Sequence, residues 1–550
     1  MQNEKVLRSA DTAQRTYNRD TPGRALMYYC PMKLTGFILE WRLLHLVIIW
    51  LLAGCASSAL QPVDQIFTER AQETLNAGIT LISEKYIEHI STTDLALEGL
   101  RSLDNIDPDF IVEIEKGTLT VYSRGLARRE YLLPVANNAD TWSSLMAVIL
   151  QYARTGNTPI ATASEEKIFE AVFDGSVSLL DSFSRYAGAK KASENRAKRS
   201  GFGGLGMEIR YEDKGARIVE IFPSTPADVA GLQVNDLITH LDGLPMAGLG
   251  LNKSQKALRG EIGSLARLTV ERNGASTVKF SLKRERILLP TVKLDHKNGI
   301  LQATVISFNN ETARQLATRI RSALTDAETP ATGMILDLRG NPGGLLTQAV
   351  MVADLFLVSG KILSTRGRHP SSRHEYVARG NDILNSLPLV VLINGKSASA
   401  SEIVAAALQD QRRAIVVGTA SFGKGTVQSV SRLPNDGELI LTWSRFVTPS
   451  GYILHDLGVP PTICVGGAEE TSDGTIAQTL QKISEVGKVM NSWHEAEVFD
   501  KKARGILRAT CPANPQKRAI DILIAKTLIK NPELYRRIVG ISPSIASVVK

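Results

Sequence analysis

The stretch Leu387-Pro388-Leu389-Val390-Val391-Leu392-Ile393-Asn394-Gly395-Lys396-Ser397-Ala398-Ser399-Ala400-Ser401-Glu402 decides how this chain is read. A run of strand length, from Leu387 to Ile393, is apolar throughout, as a strand buried on both faces must be. It passes through a turn of small residues into Ala400 to Asp410, where the pattern predicts a helix. The same succession occurs upstream. Gly333 to Leu338 runs through Arg339-Gly340-Asn341-Pro342-Gly343-Gly344 into a predicted helix over Leu345 to Phe356. Buried strands alternating with helices predict an α/β core over residues 286–465.

Outward from that core the texture changes. Residues 201–285 hold short β-rich runs: Gly206 to Tyr211, Ala216 to Ile221, Asp236 to Leu241, Ala266 to Arg272 and Thr277 to Lys283. Asp242-Gly243 suits a tight turn between two of them, so a small, partly β domain is expected. Residues 56–200 read as mostly helical, with apolar residues at helical spacing in Gln61 to Ile90 and Glu166 to Leu180. Residues 466–550 read as helical again, most regularly over Ile520 to Ile529. A chain of 550 residues is too long for one core, and this division matches the expected number of domains.

Composition is that of an ordinary globular protein, 43% hydrophobic and 22% charged, which excludes fibrous and low-complexity classes. The net charge of +8 is dispersed. Its densest cluster, Lys190, Lys191, Arg196, Lys198 and Arg199, reads as a solvated linker, and no nucleic-acid partner is expected. Residues 1–55 read as a leader. Leu43 to Leu52 is too short to span a bilayer but suits the apolar region of a signal peptide. It ends in Leu52-Ala53-Gly54-Cys55, which resembles the lipobox of bacterial lipoproteins and implies cleavage before Cys55 and acylation of its thiol. Met32-Lys33 offers a natural start, which would leave residues 1–31 untranslated. With Cys30 and Cys55 set aside, Cys464 and Cys511 remain, and an oxidising compartment favours a disulfide between them. Such a bridge would tie the tail to the core, with the active-site motifs outside the closed loop.

A serine where a strand turns into a helix lies near unpaired N–H groups and the positive end of the helix dipole, where an oxyanion is stabilised. Ser397, Ser399 and Ser401 all qualify, and helix capping would explain any of them equally well. A nucleophilic serine needs a base. None of the eight histidines lies between Ser397 and Arg445. The basic group in a comparable setting is Lys424, in Ser421-Phe422-Gly423-Lys424-Gly425-Thr426-Val427-Gln428. Lysine serves as a base if burial lowers its pKa, and Val416, Val417, Phe422 and Val427 are the expected surroundings. Two rival motifs fail. Gly418 to Gly425 lacks the hydroxyl residue of a nucleotide-binding loop, and Gly395-Lys396-Ser397-Ala398 is followed by Ser399, not the glycine of a hydrolase elbow.

Four motifs in order resemble the carboxy-terminal processing proteases, also called tail-specific proteases, over residues 200–465. They are Ser224-Thr225-Pro226-Ala227-Asp228-Val229-Ala230-Gly231-Leu232-Gln233-Val234-Asn235-Asp236, Asp337 to Gly344, Ser397 to Ile403, and Gly423 to Gln428. The resemblance implies an α/β, crotonase/ClpP-like protease core with an inserted PDZ-like domain. It implies a Ser–Lys dyad of Ser399 and Lys424, with Gln428 orienting the lysine and the N–H groups of Gly344 and Ala400 forming the oxyanion hole. Asp410 falls where the family has an acidic residue and is expected to bond Arg412 or Arg413. Gly204-Leu205-Gly206-Met207 looks like the PDZ loop that holds a substrate's C-terminal carboxylate. Asn235 departs from the glycine usual in the family and puts that turn in question.

The implied substrates are proteins or peptides with apolar C-termini, with no cofactor and no metal. A lipid anchor would place the protein on the periplasmic side of the bacterial envelope, at the outer membrane because Ala56 follows Cys55. An adaptor lipoprotein and a homo-oligomer stay open. The alternative is a non-catalytic binding protein that holds protein tails with its PDZ-like domain. Retention of both Ser399 and Lys424 favours the enzyme.

Overall fold

The computed structural model describes residues 63–274, 276–325, 329–466, 478, 483–496 and 500–540. Cys30, Cys55 and the apolar run before it lie outside the described residues. The two apolar runs are strands, Gly333–Asp337 and Leu389–Ile393, buried along their whole length. They sit at the centre of a six-stranded sheet ordered Val292–Lys297, Ile300–Val305, Gly333–Asp337, Leu389–Ile393, Ile415–Gly418, Ile463–Cys464. The first pair is antiparallel and the rest are parallel.

Alternate residues of these strands serve two cores. Met334, Leu336, Val391 and Ile393 pack beneath the helices Thr312–Leu324, Leu346–Asp354 and Ala400–Asp410. Ile335, Val390, Leu392 and Val417 pack on the other face against Ile520, Ile524 and Leu528 of the helix Ala519–Lys530. A parallel sheet needs both faces covered. The C-terminal region, expected from its periodicity only to be helical, supplies the second cover. Cys464, at the last strand, is bonded to Cys511 just ahead of that helix.

A second sheet runs His374–Val377, Lys361–Arg366, Glu438–Val447, Thr426–Arg432, with Arg185–Ala187 paired to Glu438–Val447. Residues 201–285 form the small β domain, with strands Ser276–Lys283, Leu265–Arg272, Leu237–Leu241, Gly215–Ile221 and Met207–Glu212 side by side. Phe202–Gly204 pairs antiparallel with Glu285–Ile287, so the two ends of the domain leave the core together. Asn235 takes φ +76°, a left-handed conformation that asparagine tolerates, so the turn survives the loss of glycine.

Residues 63–200 are mostly helical, with an antiparallel meander, Ile111–Glu115, Thr118–Ser123 and Leu126–Leu132, set among the helices. One expectation is corrected: the basic cluster is not a solvated linker. It lies in the helix Ala189–Ser200, where Arg196 and Arg199 hold the buried carboxylate of Glu438 at 3.2 and 2.6 Å. A buried carboxylate requires such partners, which fixes the helix on the second sheet.

Candidate active site

Three adjacent parallel strands end at Asp337, Ile393 and Gly418, and each runs straight into one motif. The crevice beyond the carboxyl ends of parallel strands is where ligands bind in open α/β sheets. The loops are stitched together by backbone and buried side chains. Ala398 N–H donates to Asn341 O at 3.0 Å, and Gly340 N–H to Asn394 Oδ1 at 2.9 Å. Gly343 stands at φ +100°, and a Cβ there would lie 2.9 Å from Ser399 Cβ, so only glycine allows this approach.

This stitching separates the three serines. The Ser397 hydroxyl donates to Leu338 O at 2.9 Å and Ser401 to Asn341 O at 3.0 Å, both fully buried. Ser399 instead lines a cleft of about 470 Å³, with Gly343, Gly344, Thr426, Gln428 and Phe446. Its backbone is held at φ +55°, ψ −111°, an unfavourable region for a residue with a side chain, directly before the first turn of Ala400–Asp410. Among the described residues, neither Gly344 N–H nor Ala400 N–H donates a hydrogen bond.

Glu402 holds this turn to the lysine segment. Its buried carboxylate accepts from Ser399 N–H (2.6 Å) and Lys424 N–H (2.9 Å) on one oxygen, and from Ser421 Oγ (2.5 Å) and Gly423 N–H (2.7 Å) on the other. Burial pushes its pKa up, against the pull of these four bonds. Glu402 is a site residue not foreseen from the sequence, although a carboxylate three residues after a helix-capping serine is a recognisable spacing.

Lys424 follows on the same loop. Gly425 backs so closely onto His455 that a Cβ would lie 2.4 Å from its nitrogen. Burial lowers the Lys424 pKa, Arg185 lowers it further, and Asp181 and Glu402 oppose them. The apolar cover differs from expectation. Phe422 is 51% exposed, and Val416 and Val417 belong to the two sheet cores. The ring over the ammonium is Phe183, with Nζ 4.8 Å from its centre. Phe183 lies between Asp181, which accepts its N–H, and the strand Arg185–Ala187 on the second sheet.

Three expected partnerships are not formed. Among the described residues no hydrogen bond joins Ser399 Oγ to Lys424 Nζ, which stands over the Phe183 ring. Gln428 lines the cleft, but its amide donates to Thr426 Oγ1 at 2.9 Å and Thr442 Oγ1 at 3.2 Å rather than meeting Lys424. Asp410 accepts from Ser450 N–H and Oγ and faces His494 Nε2 at 3.8 Å. Arg413, expected on Asp410, pairs with Asp382.

The four residues expected to hold a C-terminus, Gly204, Leu205, Gly206 and Met207, line a separate pocket of about 250 Å³. Ile209, Phe222, Leu258 and Leu289 give it an apolar floor, and Arg259 stands at its wall, 3.9 Å above the ring of Phe202. Met207–Glu212 is the last strand of its sheet, so its outer edge can accept an added strand. Among the described residues no group of histidine, cysteine, aspartate and glutamate could hold a metal ion.

Comparison with known proteins bears on both sites. The family model described as "Peptidase family S41" matches residues 299–465, and that for "PDZ domain" matches residues 203–283. The carboxy-terminal-processing protease of Bartonella bacilliformis is 37% identical over 332 residues, covering 60% of this chain and 76% of its own length. The carboxy-terminal processing protease CtpA of Bacillus subtilis is 32% identical over 302 residues, 54% of this chain and 64% of its own. Among solved structures, the photosystem II D1 C-terminal processing protease is 24% identical with a TM-score of 0.33, covering 68% of this chain and 92% of that one.

Proposed function

Because the chain belongs to the carboxy-terminal processing proteases of peptidase family S41, and is therefore a serine peptidase, we propose that it cuts protein chains presented by their C-terminal tails, with Ser399 as nucleophile and Lys424 as base. One observation carries this reading. Of the three motif serines, Ser399 is the one that faces the cleft, and it shares a single carboxylate oxygen with the segment bearing a lysine of lowered pKa.

Neutral Lys424 turns from the ring of Phe183 towards Ser399 and takes the hydroxyl proton as Oγ attacks the scissile carbonyl. The developing oxyanion lies between the N–H groups of Gly344 and Ala400, helped by the positive end of the helix Ala400–Asp410. The protonated lysine then gives its proton to the departing amine, leaving an ester on Ser399. Water, deprotonated by the same lysine, hydrolyses it. Gln428 steadies the lysine once the side chain has turned, from its position on the cleft wall. The pocket around Gly204 to Met207 takes an apolar C-terminal residue, and its loop N–H groups take the carboxylate.

The same reading places the protein on the periplasmic side of the envelope, through a lipid on Cys55. The motif before Cys55 supports this, and Ala56 supports the outer membrane. A labelled fatty acid should appear on the wild type and not on Cys55→Ala; an unlipidated wild type in a lipoprotein-processing host would end the idea. For the chemistry, the test is cleavage of an unstructured polypeptide with an apolar C-terminus. Ser399→Ala and Lys424→Ala should each abolish it, whereas near-normal turnover by Lys424→Ala would reject the assigned base. An intact fold that binds tails without cutting them would restore the alternative, a pure binding protein.

A further inference from the structure

The match to the protease family ends at residue 465, yet the chain beyond it returns to all three active-site loops. Arg339 of the first loop donates to Arg518 O and to Asp521 Oδ2, each at 2.8 Å. In the second, Gly395 N–H donates to Asn514 O at 2.8 Å and Asn394 Nδ2 to Pro515 O at 2.9 Å. The lysine loop is held from the helix Lys501–Thr510. Arg508 Nη2 donates to Ser421 O at 3.2 Å and Nη1 to Leu457 O at 2.6 Å. The same guanidinium is packed closely against two glycines: a Cβ on Gly423 would be 3.2 Å from Nη1, and one on Gly458 3.0 Å. These two segments are already joined by Asp456 N–H to Gly423 O at 2.9 Å, and Arg508 forks across both. Three residues on, Cys511 fixes the end of this helix to Cys464.

We propose that Arg508 is a positioning residue for the base Lys424, clamping residues 421–424 against residues 455–458 from a C-terminal segment outside the family match. The proposal rests on the Ser–Lys reading above. A guanidinium presents two donors in a rigid fork, which two carbonyls on different segments require; an ammonium serves them one at a time. Burial lowers the Arg508 pKa, while Glu402, the carboxylate that ties Lys424 to Ser399, favours its protonated form.

Without the fork, the loop loosens and water reaches the lysine. Lys424 is faced by Arg185, Asp181 and Glu402, and Arg508 by Glu402 and Asp456. His455, whose own pKa is lowered by burial, abuts Phe183 with ring centres 5.9 Å apart. Loss of desolvation returns Lys424 towards its ordinary value, so the acid limb of activity moves to higher pH.

The experiment measures kcat, KM and the pH profile of kcat for the wild type, Arg508→Ala, Arg508→Lys and Lys424→Ala on one unstructured polypeptide substrate, with thermal melts alongside. Arg508→Ala should lower kcat on the order of 10²-fold with KM little changed, since small misplacements of a catalytic group cost this much. Its acid limb should move upward in pH, and Arg508→Lys should fall between it and the wild type in both respects. A folded Arg508→Ala with wild-type kcat and an unmoved limb, even with a lower melting point, overturns the proposal. Should that variant not fold, wild-type kcat and limb in Arg508→Lys do the same. An active Lys424→Ala, by contrast, overturns the Ser–Lys reading itself.

Discussion

Glu402 is fully buried and accepts from four donors. Changing it to glutamine keeps the shape but turns an N–H2 towards one pair of donors, leaving buried groups unpaired. Glu402→Gln should therefore lose about 2 kcal/mol in urea denaturation and most of its proteolysis, because the shared oxygen joins the Ser399 turn to the Lys424 loop. A variant with wild-type stability and turnover would show that this carboxylate positions nothing. Lys424 makes a second prediction. Its pKa is lowered by burial, and the base must be neutral, so activity is absent below that lowered value and rises as pH climbs through it. A profile already flat from about pH 5 upward would be incompatible with a lysine base whose ordinary pKa is near 10.4. The loops that carry Ser399 and Lys424 were legible because each follows an apolar strand and is rich in small residues, but that pattern left Ser397, Ser399 and Ser401 alike, and the choice among them came with the family resemblance. The partners of Asp410 were not. Arg413 is near in sequence but is turned to Asp382, while Ser450 and His494 arrive from distant segments.

At the scale of elements, the helices Lys501–Thr510 and Ala519–Lys530 are parts of the protease core rather than a trailing region. Bonding of Cys464 to Cys511 closes a loop with a sequence separation of 47 and restricts the unfolded chain, a contribution of about 4 kcal/mol. The sequence suggested that breaking it would loosen residues 466–550 more than the active site. Since Asn514, Pro515 and Arg518 hold the loops directly, reduction should lower both stability and kcat. Wild-type kcat in a Cys464→Ala, Cys511→Ala double variant would refute that link. Helical periodicity over Ile520 to Ile529 was visible in the sequence, but its destination was not, because the strands it covers, Gly333–Asp337, Leu389–Ile393 and Ile415–Gly418, lie more than a hundred residues upstream. The meander from Ile111 to Leu132 was missed for a different reason. Its strands IVEIE and LARREYL are largely exposed and charged, so they lack the alternation that marks a half-buried strand.

Across the whole molecule, the proposed function divides the work between two pockets, one that cuts and one that grips. The gripping domain joins the core through the paired strands Phe202–Gly204 and Glu285–Ile287, so its ends are neighbours. Replacing residues 205–284 by a short glycine linker should leave the core folded. The intact protein should cut a peptide with a free C-terminal carboxylate faster than its C-terminal amide, and the shortened one should not distinguish them. Equal discrimination by both would place tail recognition elsewhere.

The central claim is that Ser399 is a nucleophile activated by Lys424. Its most direct test is labelling with a fluorophosphonate, followed by mass spectrometry of the peptides. The account predicts a single adduct on Ser399 of the wild type, and labelling reduced at least as far as background in Lys424→Ala. An adduct on Ser397 or Ser401, or full labelling of Ser399 without Lys424, would contradict it.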